Sequence, residues 1–135
     1  MGLIFVDTNI FLRYLTRDDE KKAGAALALL TRLEKGEEKA ITSAMVIFET
    51  VFTLQSYYQV PRKKIRELLL PIIFLRGLKL EHRKTYGRAL DLYSSTNLSF
   101  ADAFNVAFME EHQVKEIYSY DTDFDRIEDL KRLEP

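Results

Sequence analysis

The chain has 135 residues, enough for one domain and little more, and a hydrophobic content of 47% can fill a core without covalent staples. It has no cysteine, which excludes disulfides and thiolate metal sites and suits a reducing interior. With 20 basic and 21 acidic residues the formal charge is −1, so no polybasic tail drives nucleic-acid binding, although carboxylates gathered at one site would leave the remaining surface basic.

No apolar run approaches the roughly 18 residues of a membrane span. The longest, residues 23–30 and 68–75, are short, and Pro71 interrupts the second. The opening MGLIFVDTN lacks the basic and long apolar segments of a signal peptide. The expectation is a soluble, cytoplasmic protein with no membrane partner.

In chain order, LIFVD (residues 3–7) is a short apolar run that ends abruptly in polar residues and reads as a buried first strand. Asn9 begins a short helix, and Asp18 or Asp19 starts a second that runs to about Lys35, where Gly36 stops it. A very short strand is expected at residues 39–41, then a helix capped by Thr42 or Ser43 and extending to about Tyr58. Pro61 fits the first turn of the next helix, which Pro71 kinks or shortens and Gly77 ends. Residues 78–80 read as a strand and residues 83–94 as a helix. Ser99 caps another helix to about His112, residues 116–120 form a strand, DTDFD is a turn, and residues 131–133 supply a last strand. Strands alternating with helices favour an α/β fold with a parallel sheet covered by helices, and no repeat or linker divides residues 1–135.

In such folds ligands sit beyond the carboxyl ends of the strands. Asp7 and Asp121 both fall there. Each has a structural alternative: Asp7 or Thr8 can cap the next helix, and DTDFD can be an ordinary acidic turn. Glu49 stands alone in the uncharged stretch AMVIFETVFTL, with apolar residues at helical spacing around it. A buried carboxylate there needs a cation or hydrogen-bond partners, unless it shares a narrow exposed stripe with Thr53 or pairs with an arginine. Asp102 follows Ser99 in an S-x-x-D helix start, which by itself explains it as a residue of a capped first turn. As a set, however, two strand ends and two helices each offer a carboxylate, with Asn9 and Asn105 nearby as polar support. Several carboxylates together call for a divalent cation, and hard oxygen donors select Mg²⁺ or Mn²⁺. Such an ion suits phosphodiester hydrolysis and requires neither cysteine nor histidine. His82 and His112 read as surface residues at helix ends. A phosphatase of the DxD type fits poorly, because its second Asp falls on Asn9.

FVDTNIFLRYL, SAMVIFETVFTL, SFADAFNVAF and IYSYDTDFDRI resemble, in that order, the motifs of PIN-domain nucleases, most closely the VapC-type toxin ribonucleases of toxin–antitoxin pairs. The resemblance implies a three-layer α/β/α fold with a central parallel sheet, and cleavage of single-stranded or structured RNA with Mg²⁺ or Mn²⁺. It implies an acidic quartet of Asp7, Glu49, Asp102 and Asp121, with Asp123 as an auxiliary acid. Asp7, Asp102, Asp121 and Asp123 then hold metal, and Glu49 orients or deprotonates the attacking water. Asn9 matches the usual Asn of the first motif, while Ser119 stands where Thr is common and keeps the hydroxyl. Asp125 is a weaker match that also reads as a surface charge. The resemblance further implies a cognate antitoxin and a homodimer, with helical residues 27–33 and 65–74 as places for these contacts or as ordinary core. Arg13, Arg17, Lys21 and Lys22 read as an RNA path or as a solvated helix face. An RNA-processing nuclease without an antitoxin, and a catalytically silent PIN-fold module that binds protein or RNA, are the competing readings.

Overall fold

The computed structural model describes residues 2–135. The chain divides after Arg83 into two compact units. The first holds β1 (Ile4–Phe5), α1 (Thr8–Thr16), α2 (Glu20–Lys35), β2 (Ala40–Ile41), α3 (Ala44–Ser56), α4 (Arg62–Ile73) and β3 (Leu78–Lys79). The second holds all but the first residue of α5 (Arg83–Ser95), then α6 (Phe100–Glu111), β4 (Glu116–Tyr118), a 3-10 turn (Thr122–Arg126) and β5 (Lys131–Leu133).

Helix starts coincide with side-chain acceptors. Asp7 accepts from the Thr8 amide, Asp19 from Lys22, Ser43 from Val46 and Ser99 from Asp102. Each such cap satisfies one orphan donor and contributes about 1 kcal/mol. Gly36 ends α2 in the left-handed region, φ 74°, and its amide reaches the carbonyls of the last turn. Pro61 stands one position earlier than expected, as the N-cap of α4 with no side-chain capping bond. The helix ends two residues after Pro71, whose missing amide leaves its last turn one bond short.

All strand pairings are parallel. In the first unit the order is β1-β2-β3, with Ile4 opposite Ala40 and Ala40 opposite Leu78. Beyond β1 the Val6 amide donates to Ile41 at 2.9 Å, and the Thr42 hydroxyl donates to the Val6 carbonyl at 2.8 Å. Those two bonds fix the backbone just before Asp7. Val6, Phe11, Leu33, Val46, Ile72 and Leu78 are among the residues of the core beneath the strands. In the second unit β4 and β5 pair with Ile117 opposite Arg132, and the Ser119 amide continues the ladder to the Leu133 carbonyl. Tyr86, Leu90, Tyr93 and Ala103 are buried there, and Tyr93 meets Phe100 edge to face at 5.7 Å.

Two expectations from the sequence are corrected. The first strand is not buried: Leu3, Ile4 and Phe5 are exposed and only Val6 is buried. β1 is an edge strand with one neighbour, so its apolar run signals strand formation and not burial. β4 is also shorter than expected, because DTDFD forms the expected turn in 3-10 form, where Asp121 accepts from the Asp123 amide at 2.9 Å and tightens it. Correspondingly, β4 stops at Tyr118 and not at Tyr120.

One close approach holds the core of the first unit together. The Gly77 amide donates to the Leu33 carbonyl at 2.9 Å, and its carbonyl accepts from Ala40. A Cβ at position 77 would stand 2.5 Å from the Glu38 carbonyl oxygen and 2.6 Å from that of Leu33. Both obstacles are backbone, so no rotamer change relieves them. Gly77→Ala is expected to destabilise the chain by about 1–3 kcal/mol or more through overpacking. Urea unfolding checks this; a midpoint equal to that of the parent would show that the junction yields freely.

Candidate active site

Asp7 lies directly beyond β1, on backbone fixed by Val6, and is exposed. Its Oδ1 accepts from the Thr8 amide at 2.7 Å, so the capping role open to it in the sequence is one it performs. That bond uses one oxygen and leaves the other available. Asn9, in the first turn of α1, is exposed as well.

Glu49 takes the second of the two places the sequence left open. It is not a buried carboxylate but stands on an exposed stripe, with Thr53 half-buried one turn on. The buried face of α3 consists of Val46, Ile47, Thr50, Val51 and Leu54. Glu49 lies on the opposite stripe between Met45 and Phe52, which are 77% and 68% exposed. The two side chains that made its surroundings look like core are therefore outside it. No desolvation cost forces a partner on Glu49.

The second unit brings acids together. Asp102 occupies the first turn of α6 and is half-buried. Its carboxyl is pushed above the ordinary value of 3.8, first by partial burial and then by the negative charge of Asp121, with a lesser push from Asp123 and an opposing pull from the Ser99 hydrogen bond. Asp121 follows β4. Its amide donates to the Ser119 hydroxyl at 3.0 Å and its Oδ1 accepts from the Asp123 amide. Ser119 thus aims the backbone that carries Asp121, and Asn105 is exposed one turn along α6 from Asp102.

Arg132 on β5 was not a candidate in the sequence, and the structure gives it a positioning task. Its Nη1 donates to the Ser119 carbonyl at 3.0 Å, and its Nε donates to Asp125 at 2.8 Å, tying both ends of the acidic turn to β5. No sequence signal marks it beyond a lone basic residue in a short strand. Asp125 is thereby committed to an ion pair and is not free for a cation. Arg13 is likewise paired with Asp18 at 2.8 Å, whereas Arg17, Lys21 and Lys22 lie on the solvated surface near the start of α2. His112 ends α6, with Nδ1 2.9 Å from the Phe108 carbonyl and its ring stacked on Phe108; His82 is an exposed loop residue with φ 63°.

The donor set fits a hard divalent cation by its chemistry: carboxylate oxygens only, with one member raised by like charge that a cation would relieve. Among the described residues no three acidic or histidine side chains converge as a ready-made cage. Mg²⁺ does not demand one, because it keeps several waters and takes one or two carboxylates together with substrate phosphate.

The family model for the PIN domain matches residues 4–130, which is nearly the whole chain. No curated protein matches it. PIN domains are generally nucleases, and their parallel-stranded α/β/α fold agrees with the helices and parallel strands found here. No helix among the described residues is long and apolar enough to cross a membrane.

The raised carboxyl of Asp102 has a consequence for stability. Well below pH 3.8 Asp102 is protonated in both folded and unfolded chains and contributes nothing. As pH rises past 3.8 the unfolded chain ionises first, so the native state is progressively disfavoured, and the full penalty is present above the folded pKa. In chelator, Asp102→Asn is therefore expected to melt above the parent at pH 7, with the gap closing as pH falls through and below 3.8. Thermal melts across that range decide it; a variant that melts lower at neutral pH would show that the carboxylate is net stabilising.

Proposed function

The chain belongs to the PIN domain family, and from that premise we propose that it is a Mg²⁺- or Mn²⁺-dependent endoribonuclease, the toxin of a type II toxin–antitoxin pair, acting in the cytoplasm. The observation that carries the metal-dependent chemistry is Asp102, half-buried in the first turn of α6, with its ionised form disfavoured first by that burial and then by the charges of Asp121 and Asp123. In this reading residues 1–135 work as a single nuclease domain. Asp102, Asp121, Asp123 and Asp7 are the metal ligands, and Ser119, Asn105 and Asn9 are their polar support. The cation, when bound, supplies Lewis acidity toward a phosphate oxygen and offsets charge in the transition state.

Glu49 is assigned to the attacking water. Hydrolysis forms one P–O bond from water and breaks one phosphoester bond; the water proton passes to a Glu49 oxygen, and solvent protonates the leaving alkoxide. Exposure suits that role, because it leaves the carboxylate oxygens open to a water molecule. Neither histidine is needed.

The antitoxin and homodimer assignments find support in surface chemistry. An apolar groove of about 510 Å³ in the first unit is lined by Leu27, Leu30, Leu68, Pro71 and Phe74 from the helical stretches expected to meet a partner, and by Leu15 of α1, among others. Leu27 and Phe74 are exposed there. An amphipathic helix is the natural occupant of such a groove.

The absence of a converged trio of acids among the described residues favours a second reading, a catalytically silent PIN-fold module that binds RNA or protein. One assay separates the two. Purified protein is incubated with mixed-sequence single-stranded RNA in Mg²⁺, in Mn²⁺ and in chelator, beside Asp7→Asn and Asp102→Asn. The expected outcome is metal-dependent cleavage that both variants reduce by 10² or more, the scale of losing a transition-state interaction worth about 2.7 kcal/mol. Equal cleavage by parent and variants would place the chemistry elsewhere, and no cleavage together with no calorimetric metal binding would favour the silent module.

A further inference from the structure

A second charged site lies in the first unit, in a cleft that runs from the amino ends of its strands along β3. Leu3, Lys39 and Gly77 each immediately precede a strand, and together with residues along β3 they line a cleft of about 400 Å³. Asp7 lies four residues beyond Leu3, roughly 13 Å of extended chain away. Four cations line the cleft, Lys39, Arg76, Lys79 and Arg83, and no acid does. In a chain whose formal charge is −1, that is a local concentration of one sign.

These cations lack the partners that others in the chain have. Arg13, Arg32, Arg88 and Arg132 each sit within 2.9 Å of a carboxylate oxygen. Among the described residues none of the four in the cleft shows an ion pair. Arg83 is held in place by Nη2 donating to the Leu75 carbonyl at 2.9 Å, while its buried Nε finds no acceptor among the described residues. The fold thus gathers positive charge here and does not neutralise it. Grouped cations repel, and a partly buried donor without a partner is unfavourable. A polyanion removes the repulsion: guanidinium forks and ammonium groups both match phosphate oxygens.

We propose that this cleft is a second nucleic-acid contact, distinct from Asp7, that holds backbone phosphates of single-stranded RNA. Four cations exceed what one phosphate monoester satisfies, and they extend from the start of β2 to the residues after β3, so the site suits a strand better than a mononucleotide. The proposal rests on the nuclease reading only for the strand being RNA. It places one part of a bound strand away from Asp7, where it contributes affinity without sequence readout.

The test is binding of a short fluorescein-labelled single-stranded RNA, read by anisotropy, with the full chain in chelator so that nothing is cut. Arg76→Glu combined with Lys79→Glu changes two exposed side chains; Lys63→Glu combined with Lys64→Glu changes net charge equally at the exposed start of α4. The cleft variant is expected to bind at least about tenfold more weakly at low salt. Its slope of log K against log salt is expected to fall by about 1.4, two contacts at roughly 0.7 each for single strands. The control is expected to keep affinity and slope near the parent's. An unchanged cleft variant, or an equal loss in the control, overturns the proposal. Displacement of the RNA by adenosine triphosphate at matched phosphate concentration would assign the cleft to free nucleotides and overturn the strand. Absence of cleavage by the parent in Mg²⁺ would remove the reading of the acids and leave this binding result intact, so the two ideas fail separately.

Discussion

Like charges near a half-buried carboxyl impose the constraint on which the functional reading depends. Asp102 loses part of its hydration at the start of α6 and meets the fields of Asp121 and Asp123, so its ionised form is disfavoured. The surrounding fold maintains that condition. Ser99 caps α6 and fixes the turn that carries Asp102, Asp121 tightens the 3-10 turn that carries Asp123, and Arg132 ties that turn to β5 through Ser119 and Asp125. A structure selected for stability alone would place an arginine among such acids. Here Arg132, on the strand paired with β4, is spent on Asp125, on Glu134 and on a backbone carbonyl. The charge left over is suited to a ligand, and oxygen-only donors make a hard divalent cation the fitting one.

The first unit arranges charge along its parallel strands in a comparable way. An acid follows β1 at the carboxyl end, and unpaired cations collect in a cleft that runs from the start of β2 along β3. Short strands make this possible, because two-residue ladders leave their flanking residues close to both ends of the sheet. The Leu33–Gly77–Ala40 junction lets β3 approach α2 closely enough for Arg76 and Lys79 to join Lys39 at one cleft. A near-zero net charge conceals both features, since neither sign dominates the composition.

Much of this was legible in the sequence. Ser43, Ser99, Asp19 and Gly36 announced their helix ends because capping is a local bond between near neighbours, and all five strands were anticipated from short apolar or β-prone runs bounded by polar residues. The four motifs pointed to the family that residues 4–130 match. Burial was harder to read. LIFVD and AMVIFETVFTL look like core, but Ile4, Phe5, Met45, Glu49 and Phe52 are exposed, because local hydrophobicity does not reveal which side of an edge strand or helix finds a neighbour. The basic cleft was illegible for another reason. Lys39, Arg76, Lys79 and Arg83 become a group only through strand pairing and the close approach at Gly77, and no periodicity links them. Arg132 escaped notice likewise, since its task depends on β4 and β5 pairing in register.

The claim that the acids of the second unit bind a divalent cation is open to a direct measurement. Mn²⁺ added in small amounts to isotopically labelled protein broadens amide resonances according to their distance from the bound ion. The account expects broadening to begin at the amides of Asp102, Asp121 and Asp123 and to be lost in Asp102→Asn. Broadening spread evenly over the exposed acids, or centred away from these three residues, would contradict it.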